Sequence, residues 1–227
     1  MTLLETGDNP IPPNPISGTV RTGDGFELRY ARWRTMRPPA KGTVILLHGR
    51  TEYIEKYHET VSDLRDAGYE VLTFDWRGQG GSERLLKDRK RGHVDSFDQY
   101  VTDLDTILNE IALPDCRGPL YLLAHSTGGL VTLLAVPALG NRIDRIVLTS
   151  PLVGFGEFGL SSGLLRSLTG LMCAFGLGGV PFSRGADPDA QPDFSTNQVT
   201  SDTKRFSRNV EFLAEHDELA IGGPTAG

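Results

Sequence analysis

Cysteine and positive charge are both scarce in this 227-residue sequence. Its two cysteines, Cys116 and Cys173, lie far apart and outside any metal-ligand spacing, which excludes a disulfide-stapled scaffold and a zinc site. Basic residues number 23 against 29 acidic ones, for a formal net charge of -6, so no nucleic acid is expected as a partner. A reducing cytoplasm and a protein without bound metal fit this composition.

Long apolar runs are also missing. The weakly polar stretch at residues 159–180 is interrupted by Arg166, and its uncharged part from Ser167 to Val180 is too short to span a bilayer. The first residues hold no basic segment followed by an apolar one, so neither a secretion signal nor a transmembrane anchor is predicted. The length and the hydrophobic fraction of 38% suit one α/β domain.

The first part of the chain predicts an irregular leader and then a hairpin. Several prolines lie within residues 8–15 and argue against regular structure, so residues 1–16 are expected to form a flexible leader. Strand-like runs at residues 17–21 and 26–33 flank a turn containing Asp24-Gly25, a pair typical of hairpins because glycine tolerates a positive φ. An antiparallel ribbon is therefore expected at one edge of the sheet.

Short apolar runs and segments of helical period alternate after Thr43. Strands are predicted at residues 43–47, 69–76, 120–124 and 143–149, and helices at residues 53–64, 97–111 and 127–139. This β-α-β-α-β-α-β order predicts an α/β fold with a mostly parallel sheet and right-handed crossovers. The core is placed at residues 17–152.

The alternation ends at Pro151. Residues 153–214 contain Gly-rich pieces, a loop rich in Pro and Asp, and a helix expected over residues 202–214, with no strand. They are predicted to form a helical cap inserted above the sheet. Residues 215–227 are expected to begin the return to the core.

The segment Ala124-His125-Ser126-Thr127-Gly128 joins an apolar strand to an apolar helix. This setting is typical of a nucleophile elbow, a tight strand-to-helix turn that holds a serine above the sheet and needs small residues, here Ala124 and Gly128. The positive end of the following helix would stabilise an oxyanion at Ser126. The alternative is that Ser126 is an ordinary helix N-cap, which is common in such turns.

A second segment supports the interpretation of Ser126 as a nucleophile. His48-Gly49-Arg50 follows the first parallel strand, at a position where a backbone N–H can point into the same site. The amides of Arg50 and Thr127 are therefore the expected donors of an oxyanion hole. His48 and Gly49 are expected to shape this loop, and His125 to fill the elbow.

Four motifs together resemble one enzyme family. They are Leu47-His48-Gly49-Arg50-Thr51-Glu52, Phe74-Asp75-Trp76-Arg77-Gly78-Gln79-Gly80-Gly81-Ser82, Gly92-His93-Val94-Asp95-Ser96-Phe97 and His125-Ser126-Thr127-Gly128-Gly129. In this order they resemble the serine aminopeptidase S33 or Hydrolase_4 group, which includes monoacylglycerol lipases and lysophospholipases of the L2 type. The resemblance covers roughly residue 17 to the end. It implies an α/β-hydrolase fold, ester hydrolysis through an acyl-enzyme, no metal or organic cofactor, and a cap over an acyl pocket.

The chain departs from this family in its acid and its histidine. Both follow the serine in the family, but the only histidine after Ser126 is His216, and no apolar strand precedes it. Residues scattered through a cap lack the rigid placement that a triad needs, which argues against pairing His216 with Asp187, Asp193 or Asp202. The expectation is a truncated or partial chain, whose last core strands, acid and histidine lie beyond residue 227.

Other polar residues are expected to be structural. Asp75 and Arg77 are predicted to pair beneath the site, and His93 to brace the loop before the second helix through hydrogen bonds. A basic cluster is expected to be a solvated loop that could meet a phospholipid head group: Arg84, Lys87, Arg89, Lys90 and Arg91. Apolar cap residues could line an acyl tunnel or pack the cap on the core: Phe155, Phe158, Leu160, Leu164, Leu165, Leu168, Leu171 and Met172.

Three functions are compatible with these patterns. The first is a hydrolase of small lipid esters, lysophospholipids or monoacylglycerols, with Ser126 as nucleophile; without its acid and histidine, the chain by itself would be nearly inactive. The second is a non-catalytic lipid-binding or partner-binding protein, whose sheet edge after residues 143–149 would need covering. Peptidase activity ranks below ester hydrolysis, because no residue that recognises a peptide amino terminus can be assigned. The oligomeric state stays open.

Overall fold

The computed structural model describes residues 2–6, 8–154, 162–181, 193–197, 200–223 and 225. The strands are β1 (Ile16–Arg21), β2 (Glu27–Trp33), β3 (Thr43–Leu47), β4 (Glu70–Phe74), β5 (Leu120–His125) and β6 (Arg145–Thr149). The helices are α1 (His58–Asp66), α2 (Phe97–Ile107), α3 (Leu113–Asp115), α4 (Thr127–Leu139), α5 (Ser162–Ala174) and α6 (Thr203–Glu215). One turn of π-helix, Leu108–Ala112, joins α2 to α3. None of the helices in this described part is both long and apolar enough to cross a membrane.

The six strands form one sheet in the order β1-β2-β4-β3-β5-β6. β2 pairs antiparallel with both β1 and β4, whereas β3 pairs parallel with β4 and β5, and β5 pairs parallel with β6. This confirms the predicted α/β fold with a mostly parallel sheet and an N-terminal antiparallel hairpin. Because parallel strands end at the same edge, the loops that follow β3 and β5 meet there.

Helices cover both faces of the central strands. Every residue of β3 and β4 is buried, which explains why their sequences show no apolar–polar alternation. On one face, Ile45 and Leu72 belong to a core cluster with Leu104 of α2 and Val131 of α4. On the other face, a second cluster packs α1 and the first residues of the chain against the sheet.

β6 is an edge strand of the described sheet. Its side chains are mostly exposed, Ile146 by 38% and Val147 by 54%, in contrast to the fully buried β3 and β4. The neighbouring helix α4 also exposes apolar residues, namely Leu133, Leu134 and Val136. The exposed edge that the sequence predicts after residue 149 is therefore present.

The first residues of the chain correct one prediction. The described residues 2–6 and 8–15 contain no helix or strand, as the prolines suggest, but they are packed rather than flexible. Leu3 and Asn9 are buried, and the Asn9 side-chain amide donates to the carbonyl of Glu55 at 2.7 Å. The indole of Trp33 donates to the carbonyl of Pro12 at 3.0 Å. Proline lacks an N–H but keeps its carbonyl, so a proline-rich segment can still be anchored.

Two further predictions about local structure need correction. The helix expected over residues 53–64 begins only at His58, after a 3-10 turn at Ile54–Tyr57, because the Ile54 amide donates instead to the Asp75 carboxylate at 2.9 Å. The basic loop is not fully solvated, since Arg84 is buried and donates to the carbonyls of Arg89 and Glu218.

Two helices, α5 and α6, lie in the region predicted to form the cap. The expected helix near residues 202–214 is present as α6, and the Asp202 carboxylate caps its first turn through the Arg205 amide at 3.1 Å. α5 exposes Leu164, Leu168 and Leu171. Four residues named in the predictions lie outside the described part of the chain: Phe155, Phe158, Leu160 and Asp187.

Candidate active site

Ser126 has an unusual backbone conformation between β5 and α4. Its φ of 49° and ψ of -114° lie in a region that residues with side chains rarely adopt. The conformation is held from both sides, because the Ser126 amide donates to Thr149 at 3.1 Å and its carbonyl accepts from Leu130 and Leu152 at 3.2 and 3.0 Å. The Ser126 side chain makes no capping hydrogen bond, so it does not act as an ordinary N-cap.

Small residues allow the elbow to pack tightly. A Cβ atom on Gly128 would lie 2.6 Å from the carbonyl oxygen of Leu47 and 2.7 Å from that of His48, which is too close for any side chain. Ala124 is fully buried in β5, so its single methyl group fits where glycine would also fit. The backbone after β3 therefore lies directly against the first turn of α4.

The loop after β3 is held by side chains at three of its backbone groups. The Gly49 amide donates to Oε2 of Glu52 at 2.6 Å, and the Thr51 amide donates to the side chain of Gln79 at 2.9 Å. The Gly49 carbonyl lies 2.7 Å from Nδ1 of His48. A carbonyl oxygen can only accept, so Nδ1 of His48 carries the proton.

This loop lies beside Ser126. A Cβ atom built on Gly49 would lie 3.1 Å from Cβ of Ser126 and 3.4 Å from the His125 ring. Among the described residues, the amides of Arg50 and Thr127 have no hydrogen-bond partner, although the neighbouring amides of Gly49 and Thr51 have theirs. Thr127 is the first residue of α4, where an N–H has no acceptor within the helix. The structure thus brings the predicted elbow and the predicted loop together, with two free donors.

A buried charge cluster lies beneath the loop. Arg29 donates to Glu55 at 2.7 and 2.8 Å and pairs with the Asp75 carboxylate at 2.5 Å. Nε2 of His48 lies 3.4 Å from the same Asp75 carboxylate. Burial by itself would raise the pKa of Asp75, but the charge of Arg29 holds it below its ordinary value. The ionised carboxylate can therefore keep the Ile54 amide in place.

The predicted pair between Asp75 and Arg77 is wrong. Arg77 turns away from the site and pairs with Asp24 of the hairpin at 2.5 Å and with Asp103 of α2 at 2.6 Å. Both residues are buried and paired, as their burial demands. Asp75 and Arg77 each pair with residues of elements that are distant in sequence. Their separation of two positions along the chain therefore did not indicate that they pair with each other.

None of the five histidines, all of which are described, is hydrogen-bonded to Ser126. His125 Nδ1 lies 3.1 Å from the Thr149 carbonyl, and His93 contacts Thr225 and Asp95, which braces its loop as predicted. His216 packs on the ring of Phe212 at the end of α6. Asp193 and Asp202, its suggested partners, each cap a helical turn instead.

A cavity of about 480 Å³ opens next to the elbow. It lies between the ends of β3 and β5, the loop after β3, and α6, and its walls include Glu52, Tyr57, His125 and Phe212. Burial raises the pKa of Glu52, but the Lys56 ammonium and the Tyr57 hydroxyl together lower it to about 2. Glu52 therefore presents a carboxylate to the loop and to the cavity wall over the usual pH range.

Sequence reasoning missed Glu52, Gln79 and Arg29 as supports of the loop. Glu52 and Gln79 belong to the motifs that resemble the family, but a motif gives no information about which backbone group a side chain reaches. Arg29 lies on β2, and nothing in its local sequence points to a residue 46 positions away.

Comparison with known proteins identifies the family of the chain. The family model Hydrolase_4, described as serine aminopeptidase S33, matches residues 38–227. The chain belongs to this family.

Two curated proteins of the family group illustrate its range. Lysophospholipase L2 of Escherichia coli is 32% identical over 202 residues, which cover 89% of this chain and 58% of that protein. Monoglyceride lipase of Rattus norvegicus is 29% identical over 130 residues, covering 57% of this chain and 41% of that protein. The Hydrolase_4 chain described here thus spans less than two thirds of the length of these relatives.

Solved structures share the α/β-hydrolase fold. A thermostable carboxyl esterase from Bacillus coagulans superposes with a TM-score of 0.68 at 17% identity, covering 93% of this chain and 69% of that one. The monoacylglycerol lipase of Paleococcus ferrophilus gives a TM-score of 0.62 at 25% identity, covering 88% and 66% of the two chains. The first comparison supports the fold only, because its identity is low.

Proposed function

We propose that this Hydrolase_4 protein is a carboxylic-ester hydrolase of lipids, with lysophospholipids or monoacylglycerols as substrates and Ser126 as its nucleophile. The observation that carries the proposal is the strained backbone of Ser126 beside a loop with a free amide at Arg50. Strained backbone outside glycine concentrates at functional sites. The names of the relatives, lysophospholipase and monoglyceride lipase, support the substrate class.

The proposed reaction proceeds through an acyl-enzyme. Ser126 Oγ attacks the acyl carbonyl carbon while a base takes its proton, the alcohol leaves, and water then hydrolyses the new ester on Ser126. The Arg50 and Thr127 amides stabilise the negative oxygen that forms at each step. One such donor contributes roughly 10²–10³ in kcat in comparable sites.

The base is proposed to come from outside the chain's own five histidines. None of them is hydrogen-bonded to Ser126, so we propose that the 227 residues alone turn over slowly or not at all. A serine site without its base keeps only the effects of the oxyanion donors and of substrate binding. The same observation favours the second candidate, a lipid-binding protein without catalysis.

Two measurements separate the candidates. The mass of the protein from its natural source shows whether residues beyond these 227 accompany them. The natural protein is then tested on a chromogenic butyrate ester and on a lysophospholipid. The variants beside it are Ser126→Ala and a control, Ser167→Ala, whose exposed hydroxyl donates to the Gly163 carbonyl of α5.

The ester hydrolase predicts turnover that is lost in Ser126→Ala and kept in Ser167→Ala. Equal turnover by the natural protein and Ser126→Ala would exclude Ser126 as nucleophile. Binding of the lysophospholipid without turnover would favour the second candidate.

We also propose that α5 meets a lipid surface. Leu164, Leu168, Leu171 and Phe175 fall at i, i+4, i+7 and i+11 and are 42–75% exposed, which forms one apolar stripe. The basic loop lies beside it, because Arg91 donates to the Gly179 carbonyl at 3.0 Å. Cosedimentation with anionic vesicles is expected for the parent and not for a Leu168→Glu, Leu171→Glu variant.

A further inference from the structure

The positively charged side chain of Arg50 is bonded to a backbone carbonyl and not to a carboxylate of the described residues. Its Nη2 atom donates to the carbonyl of Gly222 at 2.6 Å, and a Cβ atom on Gly92 would lie 2.5 Å from the same nitrogen. The Gly222 amide donates to the Lys90 carbonyl at 2.7 Å, which ties these two backbone segments together. The guanidinium therefore lies in a narrow slot whose walls are backbone.

No carboxylate of the described residues pairs with this guanidinium. Burial lowers the pKa of Arg50, and the nearby Tyr100 phenol, whose own pKa burial raises to about 12, acts in the opposite direction. Tyr100 is therefore neutral at physiological pH and supplies no opposing charge. A partly desolvated cation without a counter-charge is unfavourable unless a ligand supplies one.

Two buried arginines of the chain, Arg29 and Arg77, show the usual arrangement. Arg29 is paired with Glu55 and Asp75, and Arg77 with Asp24 and Asp103. The chain as a whole carries more acidic than basic residues, so acidic partners are plentiful. Arg65 and Arg84 are also buried without a carboxylate partner among the described residues, and both donate to backbone carbonyls. Arg50 differs from them in its place, because it belongs to the loop that contacts Ser126.

The position of Arg50 limits what its ligand can be. Its backbone amide is one of the proposed oxyanion donors, so the guanidinium lies one arginine side chain from the acyl carbon. In a lysophospholipid, only the glycerol backbone separates the acyl ester from the phosphate. A guanidinium suits a phosphate well, because its planar fork can donate two hydrogen bonds to two oxygens. A monoacylglycerol carries a neutral hydroxyl at that place.

We propose that the Arg50 side chain binds the phosphate of lysophospholipids and makes the site prefer them to neutral monoacylglycerols of the same chain length. This inference rests on the proposed function. Arg50 then contributes twice, with its amide towards the oxyanion and with its side chain towards the head group. A purely structural role, in which Arg50 only tethers the segment around Gly222, is the competing explanation.

Ether-linked ligands test the proposal without requiring turnover. The probes are an alkyl-ether lysophosphatidylglycerol and the alkylglycerol of the same chain length, each below its micellar concentration, with binding measured by titration calorimetry. The proteins are the parent, Arg50→Gln, Arg50→Lys and a matched control, Arg65→Gln. Arg65 also donates to a backbone carbonyl, that of Arg34 at 2.8 Å, but it lies at the far end of α1.

The parent is expected to bind the phosphate ligand roughly 10 to 100 times more tightly than the neutral ligand, as for a hydrogen bond to a charged group. Arg50→Gln is expected to lose this preference while binding the neutral ligand within about twofold of the parent. Arg50→Lys should keep part of the preference, and Arg65→Gln all of it.

Equal weakening of both ligands in Arg50→Gln would overturn the proposal in favour of the structural tether, and so would a parent without preference. These results leave the proposed function untouched, because hydrolysis by the natural protein and its dependence on Ser126 are measured separately. Hydrolysis that is unchanged in Ser126→Ala would instead reject the proposed function.

Discussion

The carboxylate of Glu52 accepts the backbone N–H of Gly49 at 2.6 Å, and this contact fixes the loop that faces Ser126. Glu52 is itself held by the Lys56 ammonium at 2.7 Å and the Tyr57 hydroxyl at 2.6 Å. The neighbouring Arg50 amide is thus positioned by a carboxylate that is bonded to Gly49, Lys56 and Tyr57.

Glu52→Ala is expected to lower kcat of the natural protein about 10- to 100-fold with a smaller change in KM, because a misplaced donor stabilises the oxyanion less. Glu52→Gln keeps an acceptor for the Gly49 amide and should recover part of the loss. Steady-state kinetics on a chromogenic ester measure both variants. Glu59→Gln serves as control, since Glu59 pairs with Arg205 and Arg208 on the surface. A loss as large in Glu59→Gln would show that the effect is not specific to the loop.

Gly128→Ala should destabilise the fold by about 2 kcal/mol or more, because its methyl group would meet the carbonyl oxygens of Leu47 and His48 below contact distance. Gly170→Ala in α5 meets nothing within 4 Å and should be neutral or stabilising by up to about 1 kcal/mol. Urea denaturation of both variants measures the difference. Similar midpoints would mean that α4 can move away from the loop at little cost.

Arg29→Met is expected to cost about 3–5 kcal/mol of stability, because it leaves the carboxylates of Glu55 and Asp75 buried without their cation. The exposed pair between Arg21 and Glu27, at 3.6 Å, provides the comparison, and Arg21→Met should change stability by less than about 1 kcal/mol. Denaturant midpoints at neutral pH decide. Equal effects would show that the buried cluster contributes no more than a surface pair.

Stability is expected to fall in acid through His58. Burial lowers the pKa of this buried histidine from 6.5 to about 4, so between these values the unfolded chain binds a proton that the folded chain does not. The protein should therefore lose about 3 kcal/mol as the pH decreases from 6.5 to 4. The loss is complete near the folded pKa.

His58→Gln removes this titration, so the stability gap between parent and variant should narrow by that amount over the same window. His216→Gln, at a less buried position, should keep the parent's slope. Urea midpoints at several pH values test this. A parallel decline in His58→Gln would assign the acid sensitivity to other groups.

The regular elements were predictable because their signals are local. β3 and α4 occur at the predicted residues 43–47 and 127–139, since a fully apolar run and a run of small and apolar residues indicate buried structure by themselves. The partners of the polar residues were not predictable in this way. Arg29 reaches Asp75 across 46 positions and Gln79 reaches Thr51 across 28, so only the folded sheet brings them together.

Ser126 illustrates the same division within the site. Its place in a strand-to-helix turn follows from the pattern around it, but its φ of 49° depends on hydrogen bonds to Thr149 and Leu152, which the sequence does not pair with it. The slot around the Arg50 side chain is likewise made by Gly92 and Gly222, which come from two distant loops.

The close approach of Gly128 to the carbonyls of Leu47 and His48 has an evolutionary consequence. At Gly128 the elbow meets the backbone of the loop after β3 directly, so the spacing there is a property of the main chain. Cavity residues that make no bond to this loop, such as Phe212, can then be exchanged by mutation without altering that spacing. A main-chain contact of this kind allows related proteins to change the substrate they bind while the elbow and the loop keep the same distance from each other.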